Sequence, residues 1–291
     1  MAISYDELTT KHPCFARGKK GTTGRIHLPT SPRCNIECKF CERKINDYEN
    51  RPGVASTVIT PDEAVDAVRR SLEVCPDITV AGIAGPGDTL ATDDALNTFR
   101  RIRDEFPNII KCMSTNGLLL AEKAEEVIDV GIDSLTVTVN AVDPEIEAKL
   151  NRGILYHGKH YTGVEAAEIL IKNQLEGIRK VSAAGITIKV NTVLVIGIND
   201  EHIEEIAKTV SEAGASIYNI IPLIPQHELK DSPRPTCEQI DGARVKAQKY
   251  IDVFRHCQRC RADAVGIPGE KDYGDQIYLR RISQKDTFSH G

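Results

Sequence analysis

Three cysteines within eight residues constrain this chain more than any other feature. Cys34-Asn35-Ile36-Glu37-Cys38-Lys39-Phe40-Cys41 spells C-x3-C-x2-C. Thiolates are the natural ligands of iron–sulfur clusters, and a short loop with this spacing wraps three corners of a cubane. Three cysteines leave the fourth iron without a protein thiolate, free to take a substrate or cofactor. A structural zinc site is the rival reading, but it wants four ligands, commonly from paired C-x-x-C elements. The ligand count favours the cluster.

The remaining cysteines belong to the same chemistry. The chain has nine in all, an odd number, and Met1-Ala2-Ile3-Ser4-Tyr5-Asp6-Glu7 carries no basic stretch leading into an apolar run. Both argue against a secreted disulfide framework. With no run of eighteen apolar residues, no membrane span is expected, and a cytoplasmic protein is the default. A net charge of −5, from 37 basic and 42 acidic residues, offers no concentrated basic surface for nucleic acid. The local exception, Arg17, Lys19, Lys20 and Arg25, reads as a solvated basic face. Outside the triplet, Cys257-Gln258-Arg259-Cys260 is a second C-x-x-C, in a context that suits metal better than a thioredoxin-like redox pair. His27, just ahead of the triplet, is a candidate iron ligand.

Around these residues, strand-like and helix-like segments alternate. Thr60-Pro61-Asp62-Glu63 is a capping box, and helices follow at Asp93 to Glu105 and Leu119 to Val130. Thr162-Gly163-Val164-Glu165 reads as a second capping box and Asp200 as another helix cap. Apolar runs at Arg25–Leu28, Ile78–Ala81, up to Met113, Ser134–Val139, Ile186–Ile196 and Ile217–Leu223 read as strands. Six βα units predict an α/β fold with a parallel sheet. They are too few for an eight-stranded barrel, so a partial (β/α)6 TIM-like barrel is expected. Its domains would be residues 1–23 as an N-terminal extension, 24–223 as the barrel and 224–291 as a C-terminal extension. Sites in such folds gather at the C-terminal ends of the strands. Ala84-Gly85-Pro86-Gly87-Asp88, Ser114-Thr115-Asn116-Gly117 and Asn140 fall there, and Asn191 is an amide in an apolar run that needs a partner.

The triplet, with an aromatic residue before its last cysteine and placed after the first strand of a βα repeat, resembles the radical S-adenosylmethionine (SAM) superfamily. The resemblance implies that the open iron chelates SAM and that an electron from the cluster cleaves it to a 5′-deoxyadenosyl radical. Cofactor contacts would come from Phe40, Gly85, Gly87, Asp88, Asn116, Asn140, Asn191 and Val193. Within the superfamily, His12-Pro13-Cys14-Phe15, Gly24-Arg25-Ile26-His27-Leu28-Pro29, Arg51-Pro52-Gly53-Val54 and the late C-x-x-C are similar, in order and content, to the family of nitrogenase-cofactor maturases, in a form without an appended carrier domain.

That similarity implies fusion of two 4Fe–4S clusters with a SAM-derived carbide into an eight-iron core, the precursor of the nitrogenase cofactor. His27, Cys257 and Cys260 match the ligands of one substrate cluster, and Cys14 and Cys112 those of the other. Glu49 and Arg51 are the catalytic candidates; Glu49 reads first as a plain surface glutamate and otherwise as a proton-handling or cluster-contacting group. Partners would be cluster-delivery and cofactor-carrier proteins and a reductant such as ferredoxin. One departure stands out. The family often has another cysteine after the triplet, whereas here the stretch is Ile45-Asn46-Asp47-Tyr48-Glu49-Asn50. The second cluster is then held by fewer thiolates, by Asp47 or Glu49, or only in passing. Cys75 and Cys237 read as structural. The alternative function is a radical SAM maturase of a peptide or small molecule with an auxiliary 4Fe–4S cluster.

Overall fold

The computed structural model describes residues 3–16, 22–257, 260–278 and 289–290. A short helix α1 (Tyr5–Lys11) precedes strand β1 (Gly24–His27), and the cysteine loop follows with two short strands, β2 (Arg33–Cys34) and β3 (Ile36–Cys38). Then come α2 (Pro61–Val74), β4 (Ile78–Ile83), α3 (Asp94–Glu105), β5 (Ile110–Thr115), α4 (Leu120–Val130), β6 (Ser134–Thr138) and α5 (Pro144–Leu150). A hairpin of β7 (Asn151–Tyr156) and β8 (Lys159–Thr162) leads into α6 (Gly163–Ala183), β9 (Thr187–Leu194), α7 (Ile203–Glu212) and β10 (Ile217–Pro222). The chain ends through α8 (Cys237–Ala247), β11 (Asp252–Val253), β12 (Val265–Gly266), α9 (Gly274–Tyr278) and β13 (Ser289–His290), which pairs with β2.

The main sheet runs β11-β10-β9-β6-β5-β4-β1-β12. Its six central strands lie side by side in chain order and are parallel, as successive right-handed βα units require. The outermost strands, β11 and β12, are separate edges, so the barrel is open. β12 pairs antiparallel with β1, which brings the segment after Cys260 onto the sheet.

Alternation along each strand sorts residues onto two faces. One face, with Ile26, Ala81, Ile83, Met113, Leu135, Val137, Ile188 and Val190, packs under the helices in the main apolar core. The other lines the concave interior and is polar at mid-height. Its floor is closed by Leu8 of α1, Phe15 and Phe254 against Val80, Ile110 and Ile217.

Local signals explain most helix starts. The Thr60–Glu63 capping box forms in full, with Pro61 at the first turn. Two expected caps do not form. Thr162 is paired opposite Gly153 in the hairpin, and Gly163 enters α6 with φ +62°, so the threonine side chain makes no cap bond. Asp200 instead accepts from Gly197 N–H at 2.7 Å, closing a turn, and α7 begins three residues later. Arg25 is not part of a solvated basic face: it is buried and donates to Gly266 O. Arg17, Lys19 and Lys20 lie outside the described residues. No helix among the described residues is long and apolar enough to cross a membrane.

Candidate metal and cofactor site

The triplet loop is held from three sides through its backbone. Gly87 N–H donates to Ser31 O at 2.9 Å and Asp88 N–H to Arg33 O at 2.7 Å, which ties the loop to the turn after β4. The approach is so close that a Cβ on Gly87 would sit 2.0 Å from Arg33 O. From the end of α5, Leu150 O accepts from Lys39 N–H, and from the start of the hairpin Asn151 Oδ1 accepts from Glu37 N–H. From the segment after β10, Gln226 donates to Phe40 O at 2.7 Å. Cys41 N–H closes back onto Cys38 O at 3.0 Å, the turn that a C-x2-C spacing needs. None of the three is in a disulfide.

Around them lies a ring of fixed polar groups. Asp88 is buried and accepts from the Thr115 hydroxyl and from Asn116 and Leu90 N–H. Burial raises its carboxyl above the usual range, and those donors oppose the rise. Asn116 in turn donates to Asn35 Oδ1 at 2.7 Å and lies 3.9 Å from Cys34 Sγ. Asn140 accepts from Val193 N–H at 3.0 Å. The partner of Asn191 is Asn219, whose amide donates to it at 3.0 Å. Phe40 and Val193 pack together in a small apolar cluster with Leu150, Val195 and Leu223. Gly85 leaves room for the backbone of Gly53, 3.4 Å from where its Cβ would be, so the Gly-Pro-Gly and Arg-Pro-Gly turns meet. Desolvation pushes the Cys34 thiol up to about 12 and raises Cys38 and Cys41 as well. Iron binding to these thiols must therefore displace protons.

A second group of ligand-type residues faces the interior below. Strand register sets His27, Gly82, Cys112 and Ser134 in one row across β1, β4, β5 and β6. Gly82 opens the space between the imidazole and the thiol, since a Cβ there would lie 3.1 Å from His27 Cδ2. Cys14 and Cys260 reach the same region. The Cys260 thiol is pushed up to about 12 by burial and then by Cys14, and that of Cys112 to about 11 by the same two causes. Burial, then the Arg25 charge, holds the His27 imidazole down at about 4, ready to ligate in its neutral form. Cys257 is exposed, at the edge of the described segment. Cys75 caps the end of α2, and Cys237 is exposed at the start of α8. Among the described residues no three His, Cys, Asp or Glu side chains converge on the position of one bare metal ion.

Glu49 is tied down rather than free on the surface. Its carboxylate accepts from Asn46 at 2.6 Å and from Arg51 at 3.1 Å. Sequence reasoning missed the residue that organises this corner, Arg261. It donates to Glu49 O at 2.5 Å, Asn46 O at 2.6 Å and Asp263 Oδ1 at 2.7 Å, and its own carbonyl lies 2.8 Å from His27 Nδ1. Burial opposes ionisation of Asp263, but Arg261 and Ser56 outweigh it and hold the carboxyl below its usual range. Adjacency to Cys260 was the available signal. Lys189, a charge inside an apolar strand, and His12 were the other visible hints.

A family model described as the radical SAM superfamily matches residues 28–210. The FeMo cofactor biosynthesis protein NifB of Methanocaldococcus infernus is 44% identical over 97% of this chain and 94% of that protein. NifB of Klebsiella pneumoniae is 42% identical over 89% of this chain and 57% of that protein. A radical SAM methyltransferase from Sphaerobacter thermophilus superposes with a TM-score of 0.54 at 19% identity, covering 80% of this chain and 64% of that one. The donor set fits the group this family carries. Three cysteines outside any disulfide share one backbone-clamped loop, and beside it Asn35 Nδ2 and Arg51 Nε are buried without hydrogen-bond partners among the described residues. The chain is a radical SAM enzyme and belongs to the NifB family.

Proposed function

We propose that this chain builds the iron–sulfur core of the nitrogenase cofactor, joining two 4Fe–4S substrate clusters around a carbon taken from the methyl group of SAM. The supporting observation is the second constellation: Cys14, Cys112, Cys260 and His27 face one interior space beneath a separate cysteine triplet. The names of the relatives, FeMo cofactor biosynthesis proteins, point the same way.

Cys34, Cys38 and Cys41 hold the radical cluster, which with bound SAM supplies methyl-transfer and hydrogen-abstraction chemistry. The protein's own work is positional. Asn116, braced by Asp88, presents an amide beside Cys34, and Asn140 fixes the backbone at Val193. Phe40 seals the loop against the small apolar cluster and keeps water from that side. His27 with Cys260 and Cys257 takes one substrate cluster, and Cys14 with Cys112 takes the other. Glu49, braced by Asn46 and Arg51, is the group to accept a proton released from the methyl carbon. A ferredoxin-type reductant, cluster-delivery proteins and a carrier for the product complete the set of partners.

The test uses anaerobically reconstituted chain and SAM labelled in its methyl carbon. Label recovered inside an extracted iron–sulfur product is the expected result. Label found only in free methylated products, with iron at about four per chain, defeats the proposal.

A further inference from the structure

Two buried donors on the floor of the barrel have no acceptor that accounts for them. The His12 ring is 2% exposed, and its Nε2 has no hydrogen-bond partner among the described residues. Its other nitrogen, Nδ1, accepts from Cys14 N–H at 3.1 Å. A ring nitrogen that accepts carries no proton, so the proton of this imidazole sits on Nε2. His12 is thereby a donor and not a ligand. A buried N–H left without an acceptor costs about 1–3 kcal/mol.

Lys189 stands against the same ring. Its Nζ lies 5.0 Å from the Phe15 centroid and 5.5 Å from that of Phe254, while His12 meets Phe15 edge-on at 4.8 Å. The ammonium reaches only Cys14 O, at 3.4 Å, and makes no ion pair among the described residues. Lys189 pairs with Thr136 in the sheet, one row from Ser134 and Cys112. A buried cation and a buried N–H thus meet beside Cys14 and Cys112, and the stretch from Ile45 to Asn50 holds no cysteine.

We propose that His12 Nε2–H and Lys189 Nζ form a donor floor for an anionic, sulfide-bearing iron–sulfur cluster ligated by Cys14 and Cys112, offsetting with hydrogen bonds and charge the thiolate this chain lacks. The assignment rests on the maturase reading above. Both groups are positioning residues: they donate to sulfide or thiolate sulfur and transfer nothing. Donation to cluster sulfurs stabilises the reduced, more negative state and so raises the reduction potential.

The experiment compares full-length, anaerobically reconstituted wild type with His12→Asn, His12→Gln and Lys189→Met. Asn keeps an acceptor for Cys14 N–H, but its shorter amide carries no N–H to the Nε2 position, whereas Gln returns one near it. Iron and sulfide per chain, EPR redox titration and thermal unfolding are read together, with the SAM-induced change in the radical-cluster signal as internal reference. The expected result is loss of iron beyond the radical cluster, or a more negative midpoint of the added cluster, in His12→Asn and Lys189→Met. Thermal unfolding should stay close to wild type in every variant, so that loss of iron is separable from loss of fold, and His12→Gln should recover part of the iron. Wild-type iron content and midpoints in both variants, or a loss of iron that follows a loss of fold in all three, would overturn it. Wild type with no iron beyond about four per chain sinks the maturase reading itself, a result separate from these.

Discussion

Arg261 joins three segments far apart in sequence, and its loss should be felt in all of them. Its guanidinium satisfies two carbonyls of the Asn46–Glu49 stretch and neutralises Asp263, which is 5% exposed. Removing one partner of a buried charge pair leaves the other uncompensated and costs about 3–5 kcal/mol. Arg261→Met should therefore lower unfolding free energy by about that amount in denaturant titrations. It should also loosen His27, whose ring is held by the Arg261 carbonyl. A double variant with Asp263→Asn should recover part of the stability, because the buried carboxylate goes with its partner. Gly87 gives a second prediction at this scale. With a Cβ 2.0 Å from Arg33 O, next to Cys34, Gly87→Ala must push the triplet loop away from β4. Most of the radical-cluster iron should be lost on reconstitution, read as iron per chain and by EPR. The sequence offered Gly87 as a cofactor contact, but what approaches it is the chain's own backbone. Cys34, Cys38 and Cys41 were legible because their spacing is local. Arg261 was not, because the two carbonyls it holds in the Asn46–Glu49 stretch lie more than two hundred residues away.

At the scale of elements, α5 is a short helix that buries a carboxyl. Glu147 is 3% exposed, and burial drives its pKa from 4.5 up to about 8, with one backbone hydrogen bond opposing. Below pH 4.5 it is protonated in both folded and unfolded chains and has no effect. As pH rises from 4.5 to 8 the folded chain binds the extra proton, so stability falls, by an amount on the order of a few kcal/mol once both states ionise. Glu147→Gln should abolish that fall. Unfolding at pH 8 should be harder for the variant than for wild type, and the two should agree near pH 4. Equal slopes from pH 4.5 to 8 would show that Glu147 ionises normally. Elements set by local pattern were legible: α2 by its capping box and the central strands by apolar runs. The β7–β8 hairpin was not read, although its turn, His157-Gly158, has both residues at positive φ and glycine at the second position, as two-residue hairpins prefer. β11 and β12 are two residues each, too short for any periodicity, and their place follows from the sheet edges they cover.

The whole molecule places its chemistry between an apolar floor and a clamped loop. An open parallel sheet has one polar face to spare, and here that face becomes an interior because α1, Phe15 and Phe254 close it from below. Residues 1–23 gave almost no periodic signal, and for a physical reason: Phe15 and Leu8 pack on Val80, Ile110 and Ile217, contacts that no local window contains. Phe15 also supplies the ring shared by His12 and Lys189. Phe15→Ala should therefore act twice. Emptying a fully buried phenylalanine site costs about 3–5 kcal/mol, and the floor that positions both donors goes with it. Phe15→Leu keeps apolar volume, so its cost should stay below about 1.5 kcal/mol, yet it removes the flat face under the ammonium. If the floor only plugs the barrel, iron retention should track unfolding free energy across wild type, Phe15→Leu and Phe15→Ala. If it also orients the donors, Phe15→Leu should lose iron beyond the radical cluster while its unfolding stays close to wild type. The second outcome is the one the shared ring predicts.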